Sequence, residues 1–173
     1  MAVRRATVDD AEAIERIRVE TWRATYRGLL PDGVIDQLRP NAERRRERLR
    51  LASPSEINFV AEEGSDIIGY AFAGPERTHD VEYRGEVYAI YVLPVAQGKG
   101  HGRALIRECA RELASLGMTS LLIWVLRENQ IGRRFYERLG GTPVREKPLE
   151  EFPGAAAQIE IGYGWKETAP LVA

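Results

Sequence analysis

Glycines alternate in Gln97-Gly98-Lys99-Gly100-His101-Gly102-Arg103, and this spacing is the clearest chemical signal in the chain. Glycine lets a backbone turn tightly and approach a ligand closely. If a helix opens here, its free N–H groups and the positive end of its dipole attract an anion. The segment reads either as a pyrophosphate cradle or as a tight strand-to-helix turn with no ligand. It is not a P-loop, because G-x-x-x-x-G-K-[ST] is absent. Nor does G-x-G-x-G match the dinucleotide pattern G-x-G-x-x-G. Scarcity narrows the remaining chemistry. Cys109 is the single cysteine, which excludes an internal disulfide and a cysteine-rich metal site. His79 and His101 are the two histidines, too few for a histidine-based zinc centre, so no metal is expected.

The turn needs a strand before it and a helix after it. Residues 86–93 are the strongest strand pattern of the chain, and Pro94 stops it. Leu105, Ile106, Cys109, Leu113 and Leu116 form the apolar face of a following helix that Gly117 ends. Residues 121–126 are a continuous apolar run, the pattern of a strand buried on both faces. Ile131, Phe135 and Leu139 recur at helical spacing, so residues 129–139 read as a second helix, ended by Gly140-Gly141. Strands are expected at 142–146 and 158–165.

Upstream, residues 3–6 read as a short strand, and Thr7 with Asp10 as a helix start. Ala11, Ile14, Ile17 and Thr21 carry that helix to about residue 25. Pro31-Asp32-Gly33 is a turn signal, 42–52 a helix rich in arginine, and 57–61 with 67–73 a hairpin. The order is βααββ, then βαβαββ: a mixed α/β fold in one domain, residues 1–173.

With 44% hydrophobic and 29% charged residues the composition is that of a soluble globular protein. The balance of 25 basic and 26 acidic residues argues against a broad basic face, so neither nucleic acid nor a membrane surface is an expected partner. No apolar run approaches the roughly 18 residues of a membrane span. The chain opens Met1-Ala2-Val3-Arg4-Arg5 without an apolar leader, so the expected location is cytoplasmic.

Ile90-Tyr91-Val92-Leu93-Pro94-Val95-Ala96-Gln97-Gly98-Lys99-Gly100-His101-Gly102 resembles motif A of the GNAT family of N-acetyltransferases, which ends Q/R-x-x-G-x-G/A. Asn129-Gln130-Ile131-Gly132-Arg133-Arg134-Phe135-Tyr136-Glu137-Arg138-Leu139-Gly140 resembles its motif B, N-x-x-A-x-x-F-Y-x-x-x-G-F. Gly132 stands where that motif has Ala, and Gly141 where it has Phe. With the order of elements, the resemblance covers nearly the whole chain.

The resemblance implies the acyl-CoA N-acyltransferase fold, a twisted, mainly antiparallel mixed sheet flanked by helices. It implies acetyl-CoA, or another acyl-CoA, as donor and a primary amine of a small molecule or a peptide N-terminus as acceptor. Backbone groups at Ile90, Tyr91 and Val92 would meet the pantetheine arm, and Asn129 the same region. The amides from Gly98 through Lys99, Gly100, His101 and Gly102 to Arg103, following Gln97, would hold the pyrophosphate. Lys99 and Arg103 add positive charge there or simply face solvent. His101 would face phosphate or solvent rather than the amine.

Acyl transfer to an amine needs a lone pair on nitrogen, a donor for the oxyanion and a proton for the thiolate. The resemblance makes Tyr136 the acid, seven residues after Asn129. It makes Glu86 the base; the alternative is a solvated glutamate opening its strand. Glu82 and His79 stand in reserve. The acceptor segment of the family falls on Trp22, Tyr26 and Arg27. Trp22 and Tyr26 share a helix face and read as pocket wall or core; Arg27 reads as a carboxylate ligand or a surface ion-pair partner. A homodimer is common in such families. A non-catalytic acyl-CoA-binding module on the same fold is the competing functional reading.

Overall fold

The computed structural model describes residues 2–149 and 158–172. Seven strands form one sheet: β1 (Ala2–Arg5), β2 (Ile57–Glu63), β3 (Asp66–Pro75), β4 (Gly85–Val92), β5 (Leu121–Leu126), β6 (Thr142–Pro148) and β7 (Ile159–Trp165). Their order is β1-β2-β3-β4-β5-β7-β6. Every neighbouring pair is antiparallel except β4 and β5.

That parallel pair is short. Gly85, Glu86 and Val87 face Leu121, Leu122 and Ile123, and pairing then stops. A bulge in β4 marks the place. Phe72 of β3 faces Ala89 while its neighbour Ala73 faces Val87, which leaves Tyr88 as the extra residue. A bulge bends its strand and increases the local twist. Beyond it β4 runs on to Val92, paired with β3, and β5 to Leu126, paired with β7, but the two no longer pair with each other, so the sheet opens between their C-terminal ends. This is the position at which sheets with parallel strands bind ligands.

Helices cover both faces. Residues 68–72 of β3 alternate: Gly69 abuts Leu105 of α4 (His101–Ser115), and Tyr70 lies under Arg45 of α3 (Ala42–Arg50). The buried stripe of α4 includes Leu105, Ile106, Cys109 and Leu113, as its period predicts, but Leu116, expected on the same face, is the C-cap residue and is exposed. Burial raises the Cys109 thiol to about 12, so it stays a packed thiol. The helix α1 (Ala11–Tyr26) follows a short 3-10 turn in which the Thr7 N–H donates to Asp10 at 2.7 Å. Its buried face includes Ala11, Ile14, Ile17 and Thr21. Gly28, at φ +82°, turns the chain out of it.

Two short helices were not expected. Residues after Pro31 form α2 (Asp32–Asp36) rather than a turn alone, because Ile35 is drawn into a small apolar cluster with Leu30, Leu126 and Leu149. The chain closes with α6 (Ala169–Val172), anchored by the Thr168 N–H donating to the Thr119 carbonyl at 2.8 Å. α5 (Gln130–Arg138) lies beside the opened sheet. No described helix is long and apolar enough to cross a membrane.

Candidate active site

The opening between β4 and β5 continues into a cleft of about 1150 Å³, bounded by the end of α1, the start of α4 and the length of α5. The chain reaches it through a 3-10 turn, Pro94–Ala96, after β4. Gln97 fastens this turn by donating from Nε2 to the Val92 carbonyl at 3.0 Å. Gly98 and Gly100 then take φ values of +76° and +92°, which side chains rarely adopt. A Cβ at either would meet no atom within 4 Å, so both face open space. Gly102 is different. A Cβ there would sit 3.1 Å from Cζ of Phe135, so this glycine lets α4 close against α5.

The charged neighbours divide. Lys99 reaches Glu63, 3.3 Å away. Arg103 is exposed, lines the cleft and has no side-chain partner among the described residues. His101 lines the cleft but does not face solvent. It is only 3% exposed, and neither ring nitrogen has a hydrogen-bond partner among the described residues. It is the first residue of α4 and is buried there.

Asn129 caps α5, its Oδ1 accepting from the Gly132 N–H at 3.0 Å. The absent side chain at Gly132 matters here, since a Cβ would approach Asn129 Nδ2 to 2.9 Å and Val125 Cγ2 to 3.0 Å. Tyr136 is 6% exposed and borders the same cleft. Its ring packs against Phe135, Tyr163 and Trp165. Burial, with the neighbouring Tyr91, pushes its phenol well above the ordinary tyrosine value, so the group carries its proton at neutral pH.

Glu86 stands outside this cleft. The bulge leaves it opposite Gly74. Its buried carboxylate accepts from the Arg77 guanidinium at 2.6 and 3.2 Å and from the Arg77 backbone N–H at 3.1 Å. Neither a solvated strand end nor a carboxylate facing the cleft describes it. Glu82 pairs with Arg145 at 2.6 Å, and His79 sits in the 76–84 loop at φ +59°. Neither lines the cleft.

On the α1 side, Tyr26 lines the cleft, with the Trp22 ring 5.0 Å away edge-on. Burial raises the Tyr26 phenol well above its ordinary value, with Tyr91 and Tyr136 adding to the effect. Trp22 belongs to the apolar cluster under α2 and does not line the cleft. Arg27 faces away and pairs with Asp36 at 3.0 Å on the surface. Thr21, Trp124 and Arg138 line the cleft without having been singled out in the sequence. Thr21 hid in a helix stripe and Trp124 in an apolar strand. Thr21 Oγ1 and Trp124 Nε1 are buried without hydrogen-bond partners among the described residues. No cluster of three or more histidines, cysteines or carboxylates able to hold a metal occurs among the described residues.

A mixed sheet that parts between its two parallel strands, with a glycine turn and helix N-terminus at the parting, has the architecture of the acyl-CoA N-acyltransferases. The model of the Acetyltransferase (GNAT) family matches residues 14–141. The chain belongs to that family. The uncharacterized N-acetyltransferase YuaI of Bacillus subtilis (strain 168) is 30% identical over 172 residues, 99% of this chain and 96% of that protein. Mycothiol acetyltransferase of Streptomyces scabiei is 37% identical over 82 residues, but the match spans 47% of this chain and only 26% of that protein. A crystal structure from Desulfovibrio desulfuricans, ascribed to the GNAT family, superposes with TM-score 0.71 at 27% identity, covering 96% of this chain and 98% of that one. The PaiA N-acetyltransferase of Thermoplasma acidophilum, solved with coenzyme A, shares the fold at TM-score 0.72 and 19% identity, covering 95% and 98%.

Proposed function

We propose that the protein transfers the acetyl group of acetyl-CoA to a primary amine by direct attack in a ternary complex. The observation that carries this reading is the single cleft that joins the open glycine turn to the buried phenol of Tyr136. Free N–H groups at the turn suit a diphosphate, and the edge of β4 that faces β5 beyond Val87 leaves backbone groups for an extended arm. Tyr136, protonated through the neutral range, is suited to give its proton to the departing thiolate.

In the proposed step the amine lone pair attacks the thioester carbon, and its π electrons move to oxygen. The oxyanion collapses, the C–S bond breaks, and the thiolate takes the Tyr136 proton. The extra proton on nitrogen leaves to water, and water returns a proton to the Tyr136 oxygen, which restores the phenol. With Glu86 engaged by Arg77, the amine enters this scheme as its free base, oriented in the cleft beside Tyr26 and Tyr91. The acceptor is a small amine or a peptide N-terminus. The mycothiol acetyltransferase match covers too little of that protein to carry its acceptor across.

The test is a thermal-shift series with acetyl-CoA followed by an assay of free CoA release over a panel of amines. A native-state ligand at a hundred times its Kd stabilises by about 2.7 kcal/mol. The absence of any shift at millimolar acetyl-CoA would refute the donor assignment. A shift without turnover on any amine would favour a non-catalytic binding module.

A further inference from the structure

Two guanidinium groups at the cleft are surplus to its internal bonding. Arg103 leaves the first turn of α4 and Arg138 the last turn of α5; both are exposed and line the cleft. Neither has an ion-pair or hydrogen-bond partner among the described residues. Their neighbours are committed: Lys99 to Glu63, Arg127 to Glu146, and Arg133 to the Tyr163 hydroxyl and the Arg127 carbonyl. The contact of Gly102 with the Phe135 ring brings the two helices together. Arg103 follows that glycine directly, and Arg138 lies three residues beyond Phe135, on the same helix face. The two cations thus flank one helix–helix contact at the cleft.

The backbone amides of the glycine turn already suit the diphosphate of an acyl-CoA. The donor carries one further phosphate, a monoester on the ribose 3′ position, largely dianionic above pH 7. A planar guanidinium offers paired N–H donors to such a group. We infer that Arg103 and Arg138 form a separate phosphomonoester subsite that selects donors bearing the 3′-phosphate. This rests on the reading of the cleft as an acyl-CoA site.

Calorimetric titration of CoA and of 3′-dephospho-CoA tests it on the wild type, on R103Q/R138Q, and on R134Q. Arg134 is exposed on the same helix but does not line the cleft, so R134Q controls for a general loss of charge. The wild type and R134Q are expected to bind CoA at least about tenfold more tightly than dephospho-CoA, a preference that shrinks with added salt. The double variant loses the preference by weakening on CoA alone. Equal binding of the two nucleotides by the wild type overturns the subsite while leaving the acyl-CoA reading intact. A preference that survives in R103Q/R138Q overturns the assignment to these residues. If neither nucleotide binds the wild type, the reading of the cleft falls and the subsite with it.

Discussion

The buried carboxylate of Glu86 is closed by Arg77, whose Nη2 lies 2.6 Å from Oε1 while its backbone N–H and Nε both reach Oε2. The same guanidinium lies 4.2 Å over the ring of Tyr88, the bulged residue of β4. The pair therefore ties the 76–84 loop to the strand at the point where the sheet begins to part. The contacts Glu86 makes are with Arg77, and it does not line the cleft.

Glu86→Gln separates that tie from a role as base. Removing one partner of a pair in which the carboxylate is 1% and the arginine side chain 51% exposed should cost about 1–3 kcal/mol, less than a fully buried pair. The turnover number should fall only a few-fold. Its rise with pH should persist, because the limb belongs to the free acceptor amine. Urea melts and a pH–rate profile with one amine decide the matter. A hundredfold loss of kcat together with disappearance of the limb would restore Glu86 as the base.

Tyr136→Phe removes one oxygen and keeps the ring packing against Phe135, Tyr163 and Trp165. We expect kcat to drop about 10²-fold or more while the Kd for CoA changes little. The raised phenol stays protonated beyond its ordinary range near about pH 10, so in the wild type no loss of rate from Tyr136 ionisation should appear below that pH. Stopped-time assays from pH 7 to 10 check this. Unchanged kcat in the variant would make Tyr136 a packing residue alone.

What could be read in the sequence was local. The glycine turn, most of the apolar stripe of α4 and the helix near residues 129–139 depend on neighbours within a few residues, and each element formed close to where its pattern placed it. What could not be read depends on distant register. Tyr88 becomes a bulge only through pairing with β3, and Glu86 meets Arg77 only because the loop folds back. The glycine at 141 has a reason in Trp165, 24 residues on. A Cβ there would lie 2.5 Å from the indole Cζ2, so the indole occupies the space that a larger side chain at 141 would need. The short α2 owes its existence to the burial of Ile35, not to a long periodic pattern.

Gly132→Ala tests how the cap of α5 is held. Alanine is better than glycine in a helix by about 1 kcal/mol. Here its methyl must displace Asn129 Nδ2, at 2.9 Å, or Val125 Cγ2, at 3.0 Å. The gain and the crowding should nearly cancel in stability, leaving Tm within a few degrees. The displacement falls on a residue that lines the cleft, so the Kd for CoA should rise several-fold. Calorimetry beside a melting curve separates the two. Unchanged affinity would show that Asn129 can move without consequence for the donor.

Glu15 sets the acid limit of the fold. It is buried in α1, where Arg45 of α3 donates to it at 2.7 Å, Arg18 at 2.8 Å and the Asn41 N–H at 3.0 Å. Burial alone would raise its carboxyl, but the bonds from Arg18, Asn41 and Arg45 outweigh this and hold it below its ordinary value. Asp10 is lowered in the same way, chiefly by its two bonds from Arg4. Both folded values lie below the unfolded ones. Their stabilisation is therefore complete above the unfolded carboxylate range, and it is lost as pH falls from about 5 toward the folded values. In Glu15→Gln, buried Arg45 keeps its place over Phe72 but loses its counter-charge. We expect a loss of about 3–5 kcal/mol at pH 7, narrowing as the pH drops because the wild type protonates Glu15 and the variant has nothing there to protonate. Urea midpoints at pH 7, 5, 4 and 3 read the gap between the two proteins. A gap that stays constant across that range would mean the charge on Glu15 contributes nothing to holding α1 against α3.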